Sequence, residues 1–269
     1  MNAATFILST GRCGTQWLAN FFEVAAGPSF KVTHEPLESL YVPRRMLAAK
    51  SPSNLSPDDR EPIEDHIRWI ENALNATSYI ECGHPCWSSI PYLIDRFKQD
   101  ARVIHLVRHP VPAAWSWLTH RAYCPPFHPS LPEKVLLSPF DAGTQFTEYR
   151  ERWGTMSPYE KALYYWLEVN AFGRRLSENA RAKWMTVRFE DLFETAMQER
   201  LLAFVGAPPL GNHASRGEHI DRLRAYVEVS VNPFKIADHP AVLRLAEEFG
   251  YDPLRFDAEA LKRRYLANV

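Results

Sequence analysis

The chain has 269 residues, 46% of them apolar, enough for one large domain with a substantial core or two small ones. Thirty-one basic and thirty-two acidic residues leave a formal charge of −1, which excludes a global field drawing the chain to nucleic acid or to anionic membranes, so any anion site is local. No apolar run approaches the ~20 residues of a membrane span. The N-terminus lacks the basic and apolar regions of a secretory signal, and four irregularly spaced cysteines make no disulfide framework, so a soluble cytoplasmic protein is expected.

Alternating strand and helix signals predict an α/β fold, a central parallel sheet flanked by helices. The expected strands are residues 4–9, 30–34, 78–82, 102–107 and 183–188, each short as buried parallel strands tend to be. Ile63, Ile67, Ile70 and Leu74 form one helical stripe; Phe193, Met197, Leu201 and Phe204 form another that stops at Gly206. Ser157-Pro158-Tyr159-Glu160 reads as a capping box opening a helix. Residues 36–60 and the proline-rich 124–156 break the alternation and are expected as surface segments serving as lids or acceptor-binding loops. No repeat or domain boundary is evident, so residues 1–269 are expected to form one domain.

Between the first strand and the helix after it lies Ser9-Thr10-Gly11-Arg12-Cys13-Gly14-Thr15-Gln16-Trp17-Leu18. Two glycines permit a tight turn that brings successive N–H groups to a helix N-terminus, a phosphate-binding arrangement. Thr15 stands where a Walker lysine would follow the second glycine. Arg12 adds a permanent charge suited to phosphate or sulfate oxygens, and Thr15 and Gln16 add donors. The fourth strand runs into Arg108-His109-Pro110 and a helix containing Ser116, so a guanidinium occupies the ligand-binding end of the sheet where a magnesium-dependent enzyme would carry an acid. Cys82-Gly83-His84-Pro85-Cys86 has three residues between its cysteines, wrong for thioredoxin-like chemistry, and reads as small buried thiols at a strand end.

With these motifs the sequence resembles the sulfotransferases that use 3′-phosphoadenosine 5′-phosphosulfate (PAPS). Residues 11–18 look like their 5′-phosphosulfate loop, with Arg12 as in the bacterial and carbohydrate-type pattern. Val107-Arg108-His109-Pro110 followed by Ser116 looks like their 3′-phosphate motif. Arg188-Phe189-Glu190-Asp191-Leu192 and residues 246–252 resemble two later segments, in the same order. The resemblance implies a P-loop NTPase-like three-layer α/β/α fold and no metal. It implies PAPS as co-substrate, held by Gly11, Arg12, Cys13, Gly14, Thr15, Gln16, Trp17, Arg108, Ser116 and Phe189. The third 3′-phosphate element is carried onto Arg216 and Gly217. Phe189 replaces a tyrosine that touches the nucleotide in some relatives.

Sulfuryl transfer also needs a general base for the acceptor proton. Glu35 stands where carbohydrate- and tyrosine-type members have a catalytic glutamate, and His84 where cytosolic members place a histidine; Glu35 is favoured, with Arg12 assisting the leaving group. His34 is a weaker candidate, expected to point away from Glu35 because strand side chains alternate. The acceptor is expected to be a small molecule or carbohydrate, with no nucleic-acid or membrane partner. Tyr41, Trp87, Trp115, Trp117, Tyr123 and Phe127 are candidates to border the cleft. A P-loop small-molecule kinase and a nucleotide-binding protein without transfer activity are the rival readings.

Overall fold

Five parallel strands, in the order β2-β3-β1-β4-β5, form the centre of the computed structural model, which describes residues 2–179, 181–210 and 231–266. They are β1 (Ala4–Ser9), β2 (Phe30–His34), β3 (Ser78–Cys82), β4 (Ala101–Val107) and β5 (Lys183–Arg188). The expected strands match except that β4 starts one residue earlier. The three inner strands are buried on both faces, which is why they read as apolar runs without alternation. Alternate residues of β1 serve different cores: Phe6 and Leu8 face one layer, Ile7 the other.

On the Ile7 side pack α1 (Thr15–Ala25) and α8 (Thr195–Val205). The Phe6 side is covered by α3 (Pro57–Ala73), α4 (Ile90–Phe97), α5 (Pro110–Leu118), α7 (Pro158–Asn179) and α9 (Pro240–Glu248), giving a three-layer α/β/α architecture. The capping box forms: Ser157 Oγ accepts from Glu160 N at 3.3 Å, and Ser157 N donates to Glu160 Oε2 at 2.9 Å. The second predicted stripe needs correction at its first member. Phe193 lies in the turn before α8 and is 43% exposed, while Met197, Leu201 and Val205 carry the buried face.

Residues 36–60, expected as a surface segment, fold as short helices including α2 (Pro43–Ala49), with Tyr41, Val42, Met46 and Leu47 buried. These apolar side chains are spaced about a turn apart and give the segment a core face that its prolines conceal. Residues 124–156 hold two short helices, α6 (Leu131–Lys134) and a 3-10 turn at Thr147–Arg150; α6 is tied down by Tyr165 Oη, which donates to the Lys134 carbonyl at 3.0 Å. The C-terminal helix α10 (Ala258–Leu266) returns to α5, where Tyr265 stacks on Trp115 with ring centres 5.9 Å apart. All four cysteines are buried and unpaired.

Candidate active site

The loops leaving the carboxyl ends of β1 to β4 converge where strand order reverses, the usual ligand position on an open α/β sheet. Gly11 (φ 73°), Arg12 (φ 55°) and Gly14 (φ 86°) all adopt the left-handed conformation, so the chain folds into a concave turn. For Arg12 that backbone costs on the order of 1 kcal/mol or more. Trp117 steadies the turn by donating from Nε1 to the Thr10 carbonyl at 3.0 Å. Gly11 has no room for a side chain: a Cβ would stand 2.6 Å from the Trp117 ring and 2.8 Å from that of His84. No side chain among the described residues caps α1, so its first N–H groups suit an anionic ligand.

Arg12 and the end of β4 are joined. The Arg12 Nε donates to Ser116 Oγ at 2.9 Å, and Arg108 Nη1 donates to the Arg12 carbonyl at 2.7 Å. Arg108 is 6% exposed; its guanidinium lies 4.4 Å from the Phe189 ring centre, and its Nε is buried without a hydrogen-bond partner among the described residues. Phe189 in turn fills the space above Gly14, where a Cβ would come within 2.8 Å of its ring. Arg188 pairs with Asp191 through two bonds of 3.0 and 2.8 Å. Tyr251 donates to Glu190 at 2.6 Å and lies 3.2 Å from the Val107 carbonyl. The two late motifs thus brace the end of β4.

Glu35 and His84, alternatives in the sequence, form a pair. Glu35 Oε1 lies 3.0 Å from His84 Nδ1, and Oε2 lies 3.2 Å from Lys134 Nζ. A carboxylate only accepts, so Nδ1 carries the hydrogen, and in the neutral ring Nε2 is then the acceptor. That Nε2 is buried with no partner among the described residues. Burial would raise the Glu35 carboxyl, but His84, Lys134 and His34 together hold it well below the ordinary carboxylate range. Strand alternation misplaced His34. The left-handed backbone at Glu35 (φ 47°) ends the pleat, so both side chains line the same cavity, with His34 Nε2 at 3.3 Å from Thr15 Oγ1. Burial lowers the His34 pKa.

No protein-family model and no curated protein matches the sequence. Solved structures do match. The sulfotransferase domain of the Synechococcus PCC 7002 olefin synthase superposes with a TM-score of 0.52 at 20% identity, over 93% of this chain and 95% of that one. A sulfotransferase from Alicyclobacillus acidocaldarius superposes with a TM-score of 0.51 at 15% identity, over 98% of this chain and 100% of that one. The chain has the sulfotransferase fold.

On this sulfotransferase fold, one cavity of about 810 Å³ is lined by every described residue expected at the donor or catalytic site except Gly11 and Cys13. Gly11 underlies His84, and the Cys13 thiol is buried, bonded to the Gly11 carbonyl at 3.1 Å, with burial raising its pKa. Trp17 lines the cavity while stacking on Phe21 at 5.4 Å. Arg216 and Gly217 lie outside the described residues. Of the candidate cleft aromatics only Trp117 lines the cavity; Tyr41, Trp87 and Trp115 belong to the core. Residues 36–60 contribute nothing to the lining, whereas 124–156 supply His128, Ser130, Leu131 and Lys134. His120, Arg121, Arg264 and Tyr265 line it too and were not anticipated there. The carboxylate partner of Lys134 is far away in sequence, and no local pattern marks it.

Proposed function

We propose that this protein is a PAPS-dependent sulfotransferase of a single domain, moving a sulfuryl group in line to a hydroxyl or amine of a small-molecule or glycan acceptor without a metal. The observation that carries this reading is the linkage of Arg12, Ser116 and Arg108, which makes the uncapped α1 N-terminus and the basic end of β4 one two-ended anion clamp. The residues suit a donor with phosphate at both ends: the buried Arg108 Nε, unpartnered among the described residues, and Ser116 would take its 3′-phosphate, and the loop N–H groups with Arg12 its 5′-phosphosulfate. The donor supplies the transferable SO₃ group and a phosphate leaving group.

His84 Nε2 accepts the acceptor's proton as the new S–O or S–N bond forms and the bond to the 5′-phosphate breaks. Glu35 fixes the imidazole through Nδ1 and stabilises the imidazolium that results, in the manner of an acid–histidine pair. A carboxylate held so low is a weak base and a good counter-ion, which favours this division of roles over Glu35 as base. Arg12 and the α1 N–H groups neutralise the charge gathering on the leaving phosphate. Titration with 3′-phosphoadenosine 5′-phosphate (PAP), with and without magnesium, tests the reading. Tight binding indifferent to magnesium and weakened ~100-fold or more in Arg108→Ala is expected. Binding that requires magnesium, or that tolerates the substitution, overturns it.

A further inference from the structure

Glu35 is a carboxylate with a different partner on each oxygen. Oε1 lies 3.0 Å from His84 Nδ1 and Oε2 lies 3.2 Å from Lys134 Nζ, and the side chains of His84, Lys134 and Glu35 are only 5%, 11% and 20% exposed. A carboxylate facing an imidazole alone draws a second proton onto the ring, because an opposite charge at that distance favours the charged form. The histidine of such an ion pair carries hydrogen on both nitrogens and cannot accept another. Lys134 changes the balance. Its ammonium already answers the charge of the carboxylate and disfavours a second cation beside it.

The other neighbours of the ring leave the decision to that lysine. His34, from β2, and His120, from the turn after α5, both interact electrostatically with His84, but burial lowers the pKa of each, that of His120 to about 4, so neither carries charge at pH 7. Trp117 meets the ring edge to face, with ring centres 5.3 Å apart, and adds no charge. Arg12 follows Gly11, which underlies the ring, and is engaged with Ser116. Lys134 itself is built into place. It ends α6, its carbonyl accepts from Tyr165 Oη at 3.0 Å, and Tyr123 Oη lies 2.7 Å from the Val135 and Leu137 carbonyls that follow. Glu35 is its one ion-pair partner among the described residues. Lysine is almost never buried this far unless paired.

We infer that Lys134 is a positioning residue for the general base: by holding the far oxygen of Glu35 it keeps the carboxylate on His84 Nδ1 and keeps the imidazole neutral, with Nε2 left to take the acceptor's proton. The inference rests on the sulfotransferase reading and deepens its account of the same site. Its test is a pH titration of the full chain labelled with ¹⁵N-histidine, whose ring-nitrogen shifts report tautomer and protonation. The His84 signals are assigned by their loss in His84→Asn.

In the unsubstituted protein His84 is expected as the neutral Nδ1–H tautomer at pH 7.5. Lys134→Met is expected to raise its protonation midpoint by ~1 pH unit or more, and Lys134→Arg, which keeps the charge, to leave it within ~0.3 pH unit. PAP affinity, measured by calorimetry, is expected to stay within ~3-fold in both variants. An imidazolium at pH 7.5 in the unsubstituted protein, a midpoint that stays or falls in Lys134→Met, or an equal rise in Lys134→Arg each overturns the assignment. So does loss of PAP binding in Lys134→Met, which would make the lysine a support of the fold or of the donor site. Failure of the unsubstituted protein to bind PAP strikes the sulfotransferase reading instead, and the histidine titration, run without PAP, still decides whether Lys134 holds His84 neutral.

Discussion

Glu35 and His84 are 49 residues apart, and only the register of β2 beside β3 brings them together, with His34 paired to Cys82 and the chain turning immediately after each. If they act as a unit, their substitutions are not additive. Glu35→Gln and His84→Asn are each expected to lower kcat by ~10²–10⁴ with little change in PAP affinity. The double variant is expected to be no worse than the worse single one. Effects that multiply would mean two independent groups, and full activity in His84→Asn would return the role of base to Glu35. The sequence offered both residues because each stands, at a strand end, where the family it resembles places a base. It did not show them as partners, because strand alternation carries no information about a left-handed residue such as Glu35.

At the scale of elements, the late motifs do structural work for the clamp. Tyr251 reaches both Glu190 and the Val107 carbonyl, one residue before Arg108, and Arg188 bonds to the Gly250 carbonyl at 3.3 Å. Tyr251→Phe removes the hydroxyl from a carboxylate and a strand end together. A loss of ~1–2 kcal/mol is expected in urea unfolding, with a weaker affinity for PAP because Arg108 is less well fixed. Unchanged unfolding and unchanged affinity would mean that the contact is incidental. The three inner strands were legible to within a residue because inner parallel strands must be apolar on both faces. The cavity wall was less so. Lys134, Arg121 and Tyr265 come from the short α6, a turn and α10, and Lys134 and Tyr265 are set by packing against α7 and α5 that no local pattern encodes.

Across the whole molecule, acid stability is governed by histidines folded in as neutral groups. His105, in the middle of β4, is fully buried and its pKa is lowered to about 4, chiefly by burial, against a partial opposing effect of the 3.0 Å contact with Asn170. Its Nδ1 has no hydrogen-bond partner among the described residues, and Gly173 packs so closely that a Cβ there would be 2.7 Å from the ring, so a proton on Nδ1 has no acceptor. His239 is likewise lowered to about 4, by burial and then by the Arg152 guanidinium 2.9 Å away.

For both, the unfolded chain takes up a proton as pH falls through about 6.5 while the native state resists until about 4, so the unfolded state binds more protons over that window. Stability is therefore fully present above pH 6.5 and declines as pH falls toward 4, by ~3 kcal/mol for His105 alone. Exposed pairs such as Arg96–Glu71 are too weak to offset this. Urea midpoints measured from pH 7.5 to 4.5 should fall steadily below 6.5. His105→Gln should start lower at pH 7.5, through lost packing, yet fall less steeply. A slope unchanged by that substitution would show that His105 is not a source of the acid sensitivity, and a midpoint constant from pH 6.5 to 4.5 would show that neither histidine is held neutral by the fold.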